Sequence, residues 1–171
     1  MLLYVDDIVL TASSQQLFER VISYLQQEFA MKDLGQLHHF LDVTVEPRPS
    51  GLLLHQRQYT LDILERAGMT DCKTCSTPVD TQAKLSADLG DLVADPTTYR
   101  SLASALQYLI FTRLDLTYAI QQVCLHMHNP RESHLAALKR LLRYVCGTVD
   151  CSLVLHRSPS AEFVVVGGRY R

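Results

Sequence analysis

The stretch Leu2-Leu3-Tyr4-Val5-Asp6-Asp7-Ile8-Val9-Leu10 opens the chain and decides how its first part folds. Two short apolar runs flank an acidic pair, which predicts a β-hairpin with Asp6 and Asp7 at its turn. Adjacent carboxylates repel each other, and a divalent cation that prefers hard oxygen ligands, such as magnesium, removes that repulsion. An isolated Asp-Asp pair is more often a solvated turn. The aliphatic residues on both sides favour a metal site here.

Residues 11–57 continue with one helix and two strands. Ser13, with Gln16 three residues later, is a capping-box signature that predicts the start of a helix. Residues 37–46 alternate between two faces, as a half-buried strand does. The turn residues from Pro47 to Gly51 come next, and residues 52–55 predict a second strand.

The chain from residue 58 onward is predicted to be mainly helical. A short helix from Tyr59 ends at Gly68, and residues 69–94 form a long surface connection. Asp95-Pro96 starts the next helix, with Asp as N-cap and Pro in the first turn. The remaining elements are helices over about residues 115–128 and from Asn129 to Gly147, then a strand over 152–155. The predicted fold class is therefore α+β.

The composition fits a globular chain outside the membrane. Of its 171 residues, 47% are hydrophobic, enough to bury a core. No apolar stretch approaches the ~20 residues of a membrane span, and no charged leader precedes Leu2. We therefore expect an intracellular protein, cytoplasmic or nuclear, with no membrane partner and with its five cysteines reduced.

Charge is distributed unevenly along the chain. Residues 1–95 hold 7 basic and 14 acidic side chains, whereas residues 96–171 hold 9 basic and 4 acidic ones. In the helix that begins at Asn129, Lys139, Arg140 and Arg143 share one face. These side chains either contact nucleic-acid phosphates or form the solvated face of an amphipathic helix, and the sequence leaves both interpretations open.

A second metal site is suggested by cysteine spacing. Cys72-x-x-Cys75 has the spacing of zinc ligands, and His126-x-His128 could complete a set of four. The pattern also occurs often without metal, and Cys75 lies in an irregular segment. We therefore favour the interpretation without zinc.

The motif at the start of the chain and the segments after it resemble one family. Tyr4-Val5-Asp6-Asp7 resembles the Tyr-x-Asp-Asp box of reverse transcriptases, and residues 1 to about 156 are similar to the copia-type retrotransposon polyprotein. The matching stretches, in order, include Met31-Lys32-Asp33-Leu34-Gly35, Gly51-Leu52-Leu53-Leu54-His55-Gln56-Arg57-Gln58-Tyr59, Ser76-Thr77-Pro78, Ala105-Leu106-Gln107-Tyr108-Leu109 and Pro130-Arg131-Glu132-Ser133-His134. The ordered series is more specific than any single box.

The resemblance implies a magnesium-dependent RNA-directed DNA polymerase with a right-hand fold and no organic cofactor. Asp6 and Asp7 would be two of its three catalytic carboxylates, and Tyr4 and Val5 would lie against the RNA or DNA template–primer near the primer end. The implied regions are a partial palm over 1–57, a thumb-like helix and connection over 58–95, a helical connection region over 96–157 and a divergent tail over 158–171.

Several features depart from the family pattern. The third catalytic Asp and the fingers lie upstream in the family, and the chain starts within a core strand, so we expect a truncated and inactive fragment. Asp42 and Ser104 stand where the family has Gly, Leu114 replaces a Pro, and Cys146 replaces a Lys or similar residue. The alternative function is a helical remnant that binds nucleic acid or forms oligomers without catalysis.

Overall fold

The structure is a computed structural model that describes residues 2–4, 7–80, 85–86, 90–157 and 165–168, with the backbone alone for 2–4, 7 and 165–168. The chain divides into two compact units, Met1–Leu41 and Asp42–Arg171. Each unit is described by itself. None of the helices in these described ranges is long and apolar enough to cross a bilayer.

The first unit begins with the predicted hairpin. Strand β1 (Leu2–Tyr4) pairs antiparallel with β2 (Asp7–Val9), and Tyr4 lies opposite Asp7. The hairpin is confirmed, but the prediction that Asp7 belongs to the turn is wrong, because Asp7 is already paired in the second strand. The other turn residue, Asp6, lies outside the described residues.

The first unit continues with helix α1 (Gln15–Glu28) and a short strand, β3 (His39–Phe40). The helix starts one residue later than predicted, because Ser14 rather than Ser13 is the N-cap and accepts a 3.3 Å hydrogen bond from the Leu17 N–H. No side chain of α1 is fully buried. Its apolar stripe is therefore only half covered within the described residues.

The strand predicted over residues 37–46 is interrupted in the middle. Leu41 and Asp42 have φ values of 49° and 58°, both in the left-handed region. Two successive residues in this conformation cannot continue an extended strand. A new strand, β4, therefore begins only at Val43.

The second unit contains an antiparallel sheet in the order β4 (Val43–Arg48), β5 (Gly51–His55), β6 (Ser152–His156) and β7 (Val165–Gly168). Strands β5 and β6 confirm the predicted strands, and β4 keeps only the second part of the strand predicted over 37–46 and continues through Pro47 and Arg48, which were predicted as turn residues. Strand β7 was not predicted. Gly51 follows a two-residue turn, with φ at 152°, and a Cβ there would lie 1.9 Å from the Leu155 carbonyl oxygen. Only glycine fits at this position.

Four helices of the second unit enclose the main apolar core. They are α2 (Arg57–Arg66), α3 (Pro96–Tyr108), α4 (Thr117–Cys124) and α5 (Glu132–Cys146), with 3₁₀ turns at Leu109–Phe111 and Leu114–Leu116. The fully buried side chains at its centre include Ile63, Tyr99, Leu106, Leu109, Ile120, Leu138, Leu141 and Val145. This core lies between helices that are distant in sequence.

Local signals set several helix ends as predicted. Asp95 caps α3 by accepting hydrogen bonds from the Thr97 and Thr98 N–H groups at 3.0 and 3.2 Å. Gly68, at a φ of 62°, follows the end of α2, where the Met69 N–H returns to the Leu64 carbonyl at 2.8 Å. This pairing satisfies carbonyls that the helix end would otherwise leave free.

Two other helix boundaries differ from the prediction. The helix expected over 115–128 is shorter, because residues 114–116 form a 3₁₀ turn and α4 ends at Cys124. Helix α5 begins after Arg131 rather than at Asn129, because the Arg131 N–H donates to His134 Nδ1 at 3.0 Å. A mixed α and β fold with an antiparallel sheet is confirmed. The palm, thumb and connection assignments stay predictions.

Candidate functional site

Asp7, the second residue of the acidic pair, lies at the closed end of the first hairpin. The strand register pairs Leu2 with Val9, Leu3 with Ile8 and Tyr4 with Asp7. Asp7 is therefore in the last pair before the turn, next to Asp6 in sequence. Since the side chains of residues 1–7 lie outside the described part, the roles of Tyr4, Val5, Asp6 and Asp7 stay predictions.

The basic face of α5 contacts the connecting segment, which we define as residues 69–80. Arg143 Nε donates to the Lys73 carbonyl at 2.6 Å, and Arg140 Nη2 donates to Thr77 Oγ1 at 2.8 Å. Arg140 Nη1 also lies 3.7 Å from an Asp80 carboxylate oxygen. Lys139 is exposed. Two of the three predicted phosphate-binding side chains therefore hold this segment, and phosphate binding by all three stays a prediction.

The proposed zinc ligands have other neighbours. Cys75 Sγ donates to the Arg140 carbonyl at 3.3 Å, and the His126 ring stacks on His134 with centroids 3.7 Å apart. Among the residues that the structure describes, no three His, Cys, Asp or Glu side chains are grouped as metal ligands would be.

An ion pair between the buried Arg113 and the exposed Asp115 lies beside the end of α5, and sequence reasoning did not single it out. Arg113 is only 3% exposed and donates to both carboxylate oxygens of Asp115, at 2.9 and 2.8 Å. Its remaining guanidinium nitrogen donates to the Thr148 carbonyl at 2.9 Å, and Tyr144 Oη donates to Asp115 at 3.1 Å.

The hydrogen bonds around Arg113 and Asp115 hold parts of the chain together. Burial would raise the pKa of Asp115, but the hydrogen bonds and charge of Arg113 outweigh burial and hold the pKa below its ordinary value. The signal in the sequence was the Arg-x-Asp spacing at residues 113–115. Because Arg113 is satisfied by internal acceptors, the pair joins the 3₁₀ turn to the residues after α5 rather than forming a binding site.

His134 is a second buried titratable group. Its Nδ1 accepts the Arg131 N–H, and its Nε2 lies 3.1 Å from the Ser86 carbonyl oxygen. Burial, followed by the charges of His126 and Arg131, lowers its pKa. Neutral His134 therefore serves as the cap of α5, with both ring nitrogens bonded.

Comparisons with known proteins fit the acidic hairpin. Residues 1–81 match the family model described as "Reverse transcriptase (RNA-dependent DNA polymerase)". The chain is 46% identical over 158 residues to an uncharacterized mitochondrial protein of Arabidopsis thaliana, covering 92% of this chain and 65% of that protein. No solved structure matches.

Transposon polyproteins are also similar. The retrovirus-related Pol polyprotein from transposon RE2 of Arabidopsis thaliana is 43% identical over 92% of this chain, and that from transposon TNT 1-94 of Nicotiana tabacum is 33% identical over 88%. The chain spans 11% and 12% of these polyproteins, respectively. The copia-type resemblance is thereby confirmed. Residues 1–81 thus resemble the reverse transcriptase (RNA-dependent DNA polymerase) family, and most of the chain is similar to part of the retrovirus-related Pol polyproteins from transposons.

Proposed function

We propose that this chain is the part of an RNA-directed DNA polymerase that carries two of its catalytic carboxylates, Asp6 and Asp7. The observation that carries the proposal is the match of residues 1–81 to the reverse transcriptase family. The hairpin register supports it, because Asp7 lies in the pair next to the turn. The partner in this function is an RNA or DNA template–primer.

The donor chemistry of the acidic pair fits a divalent cation. Asp6 and Asp7 offer hard carboxylate oxygens, which magnesium prefers over nitrogen or sulfur ligands. Magnesium, when bound, supplies the positive charge that favours attack by the primer 3′ oxygen and departure of pyrophosphate. The role of Asp6 and Asp7 is to hold that charge in place, while Tyr4 and Val5 lie against the primer end.

We further propose that the 171-residue chain alone does not polymerise. The family resemblance places the third carboxylate and the nucleotide-holding fingers upstream of Leu2, on segments that these residues do not include. Positioning and charge stabilisation supply most of the rate in nucleotidyl transfer. A chain that holds a cation but cannot hold the incoming nucleotide therefore lacks the means to accelerate the reaction.

The metal-binding part is tested by calorimetric titration of the purified chain with magnesium. We expect Asp6→Asn and Asp7→Asn each to weaken binding at least about tenfold, because a carboxylate ligand is lost. Asp71→Asn is the matched control, since Asp71 is exposed in the second unit. Equal binding by all four proteins would contradict the assignment of the acidic pair.

The inactivity part is tested by primer extension on a homopolymer template with magnesium. We expect no incorporation above background. Robust incorporation that disappears in Asp6→Asn would overturn the proposed inactivity while supporting the carboxylate roles. Incorporation that survives both Asn substitutions would overturn the roles themselves.

A further inference from the structure

The connecting segment runs along the last turn of α5. Cys146 Sγ donates to the Thr70 carbonyl at 3.4 Å, and Arg143 Nε donates to the Lys73 carbonyl at 2.6 Å. A Cβ added to Gly147 would lie 3.0 Å from Thr74 Cβ. Residues 70–74 are therefore held against residues 143–147 by contacts on both sides of Cys72.

Cys72 and Cys146 are neighbours within this contact. Cys146 Sγ lies at the Thr70 carbonyl, two residues before Cys72, and both cysteine side chains are partly exposed. Burial, followed by the hydrogen-bond interaction with the Cys146 thiol, raises the pKa of Cys72. The thiols of Cys75 and Cys124 lie at other places, where they donate to the backbone carbonyls of Arg140 and Ala103.

We propose that Cys72 and Cys146 are an oxidisable pair that forms a disulfide and fastens the connecting segment to the end of α5. The inference is independent of the proposed function, since both cysteines lie in the second unit and outside the acidic hairpin. Cys146 stands where the resembling family has Lys or a similar residue, so the pair is a feature of this chain.

The oxidant is a peroxide. One thiolate attacks a peroxide oxygen of hydrogen peroxide, giving a sulfenic acid and hydroxide, which takes up the thiol's proton to become water. The second sulfur then attacks the sulfenic sulfur, the S–S bond forms, and a second water leaves. Two thiols are oxidised by two electrons in total, and one hydrogen peroxide is reduced to two waters.

The disulfide has a structural consequence. The bond closes a loop on the order of 70 residues, and cross-links that close long loops restrict the unfolded chain most. Oxidation should therefore raise the thermal midpoint of the second unit by about 5–10 °C. It should also protect the connecting segment from proteases, because residues 70–74 could no longer leave α5.

The test is peptide mass mapping of the full chain after treatment with hydrogen peroxide, with alkylation of the remaining thiols. We expect a cross-linked peptide pair containing Cys72 and Cys146, lost on reduction, with a raised melting midpoint. Cys146→Ser should abolish both the cross-link and the midpoint shift. Cys75→Ser, a change in the same segment, should leave both intact.

Two outcomes would overturn the proposal. One is a map in which both cysteines are alkylated or over-oxidised with no linked peptide, which can be read from the wild-type chain even if a variant fails to fold. The other is a cross-link that forms only between two chains, seen as a dimer on a non-reducing gel.

Discussion

At the scale of single residues, the backbone at Leu41 and Asp42 is the clearest departure from the predicted pattern. Asp42 has a φ of 58° and stands where the resembling family has Gly. Non-glycine residues in the left-handed region cost up to about 1–2 kcal/mol, although Asp tolerates it better than most. A glycine adopts this φ without that cost, which explains the glycine of the resembling family. In this chain, Asp42 keeps the same bend.

The bend predicts that Asp42→Gly stabilises the second unit by up to about 1 kcal/mol, since relief of the positive φ outweighs the added freedom of the unfolded chain. Urea denaturation followed by circular dichroism measures the change. Asp62→Gly is the matched control, because Asp62 lies inside α2, where glycine should lower stability by about 0.5 kcal/mol. A loss of stability in Asp42→Gly would count against the strained bend.

At the scale of elements, the start of α5 depends on a histidine rather than on the expected Asn129. His134 Nδ1 accepts the Arg131 N–H, and the ring is stacked on His126. Protonation of Nδ1 would remove this acceptor and place a charge beside His126 and Arg131. The helix start is therefore stable only while His134 is neutral.

This arrangement predicts a loss of stability in mild acid. Because the folded-state pKa of His134 lies below the ordinary histidine value of 6.5, its contribution to stability is fully present above pH 6.5 and is lost as the pH falls through the folded-state value. Urea denaturation at pH 7 and at pH 5 measures the difference. His134→Asn keeps an acceptor but does not titrate, so it should reduce the difference.

The control for this measurement is His128→Asn. His128 is exposed, and the change should preserve the loss between pH 7 and pH 5. If His134→Asn and the wild-type chain lose equal stability over this interval, another group is responsible for the acid sensitivity.

At the scale of the whole molecule, the basic residues between positions 96 and 171 differ in their surroundings: some make contacts within the chain, and others are exposed. Arg113 is buried in an internal ion pair, and Arg140 and Arg143 hold the connecting segment. Lys139 is exposed on the same helix. Two of the three basic side chains predicted to bind phosphate on α5 therefore already make contacts within the chain.

Substitutions of Lys139 and Arg143 should therefore have different effects, one on nucleic-acid binding and one on stability. Filter binding at increasing salt concentrations measures the first effect. If the α5 face contacts phosphates, Lys139→Gln should reduce the salt slope of binding by about 1 without changing thermal stability. Arg143→Gln should instead lower stability by about 1 kcal/mol, because its bond to the Lys73 carbonyl is lost. An unchanged slope in Lys139→Gln would exclude that residue from the interface.

The features that the sequence predicted correctly depend on residues close together in the chain. Asp95 reaches N–H groups two and three residues away, and Gly68 closes α2 through its own conformation. The first hairpin follows from two apolar runs joined by a short connection in the same way. The metal-binding role of Asp6 and Asp7 was likewise inferred from adjacent residues, and it stays a prediction.

The tertiary structure alone decided which distant groups meet. Nothing within a few residues of Arg143 indicates Lys73 as its partner, and Cys72 and Cys146 become neighbours only when the connecting segment lies on α5. Periodicity and capping record interactions over three or four residues. Contacts between residues about seventy positions apart are instead selected by packing of the whole core, which no local pattern contains.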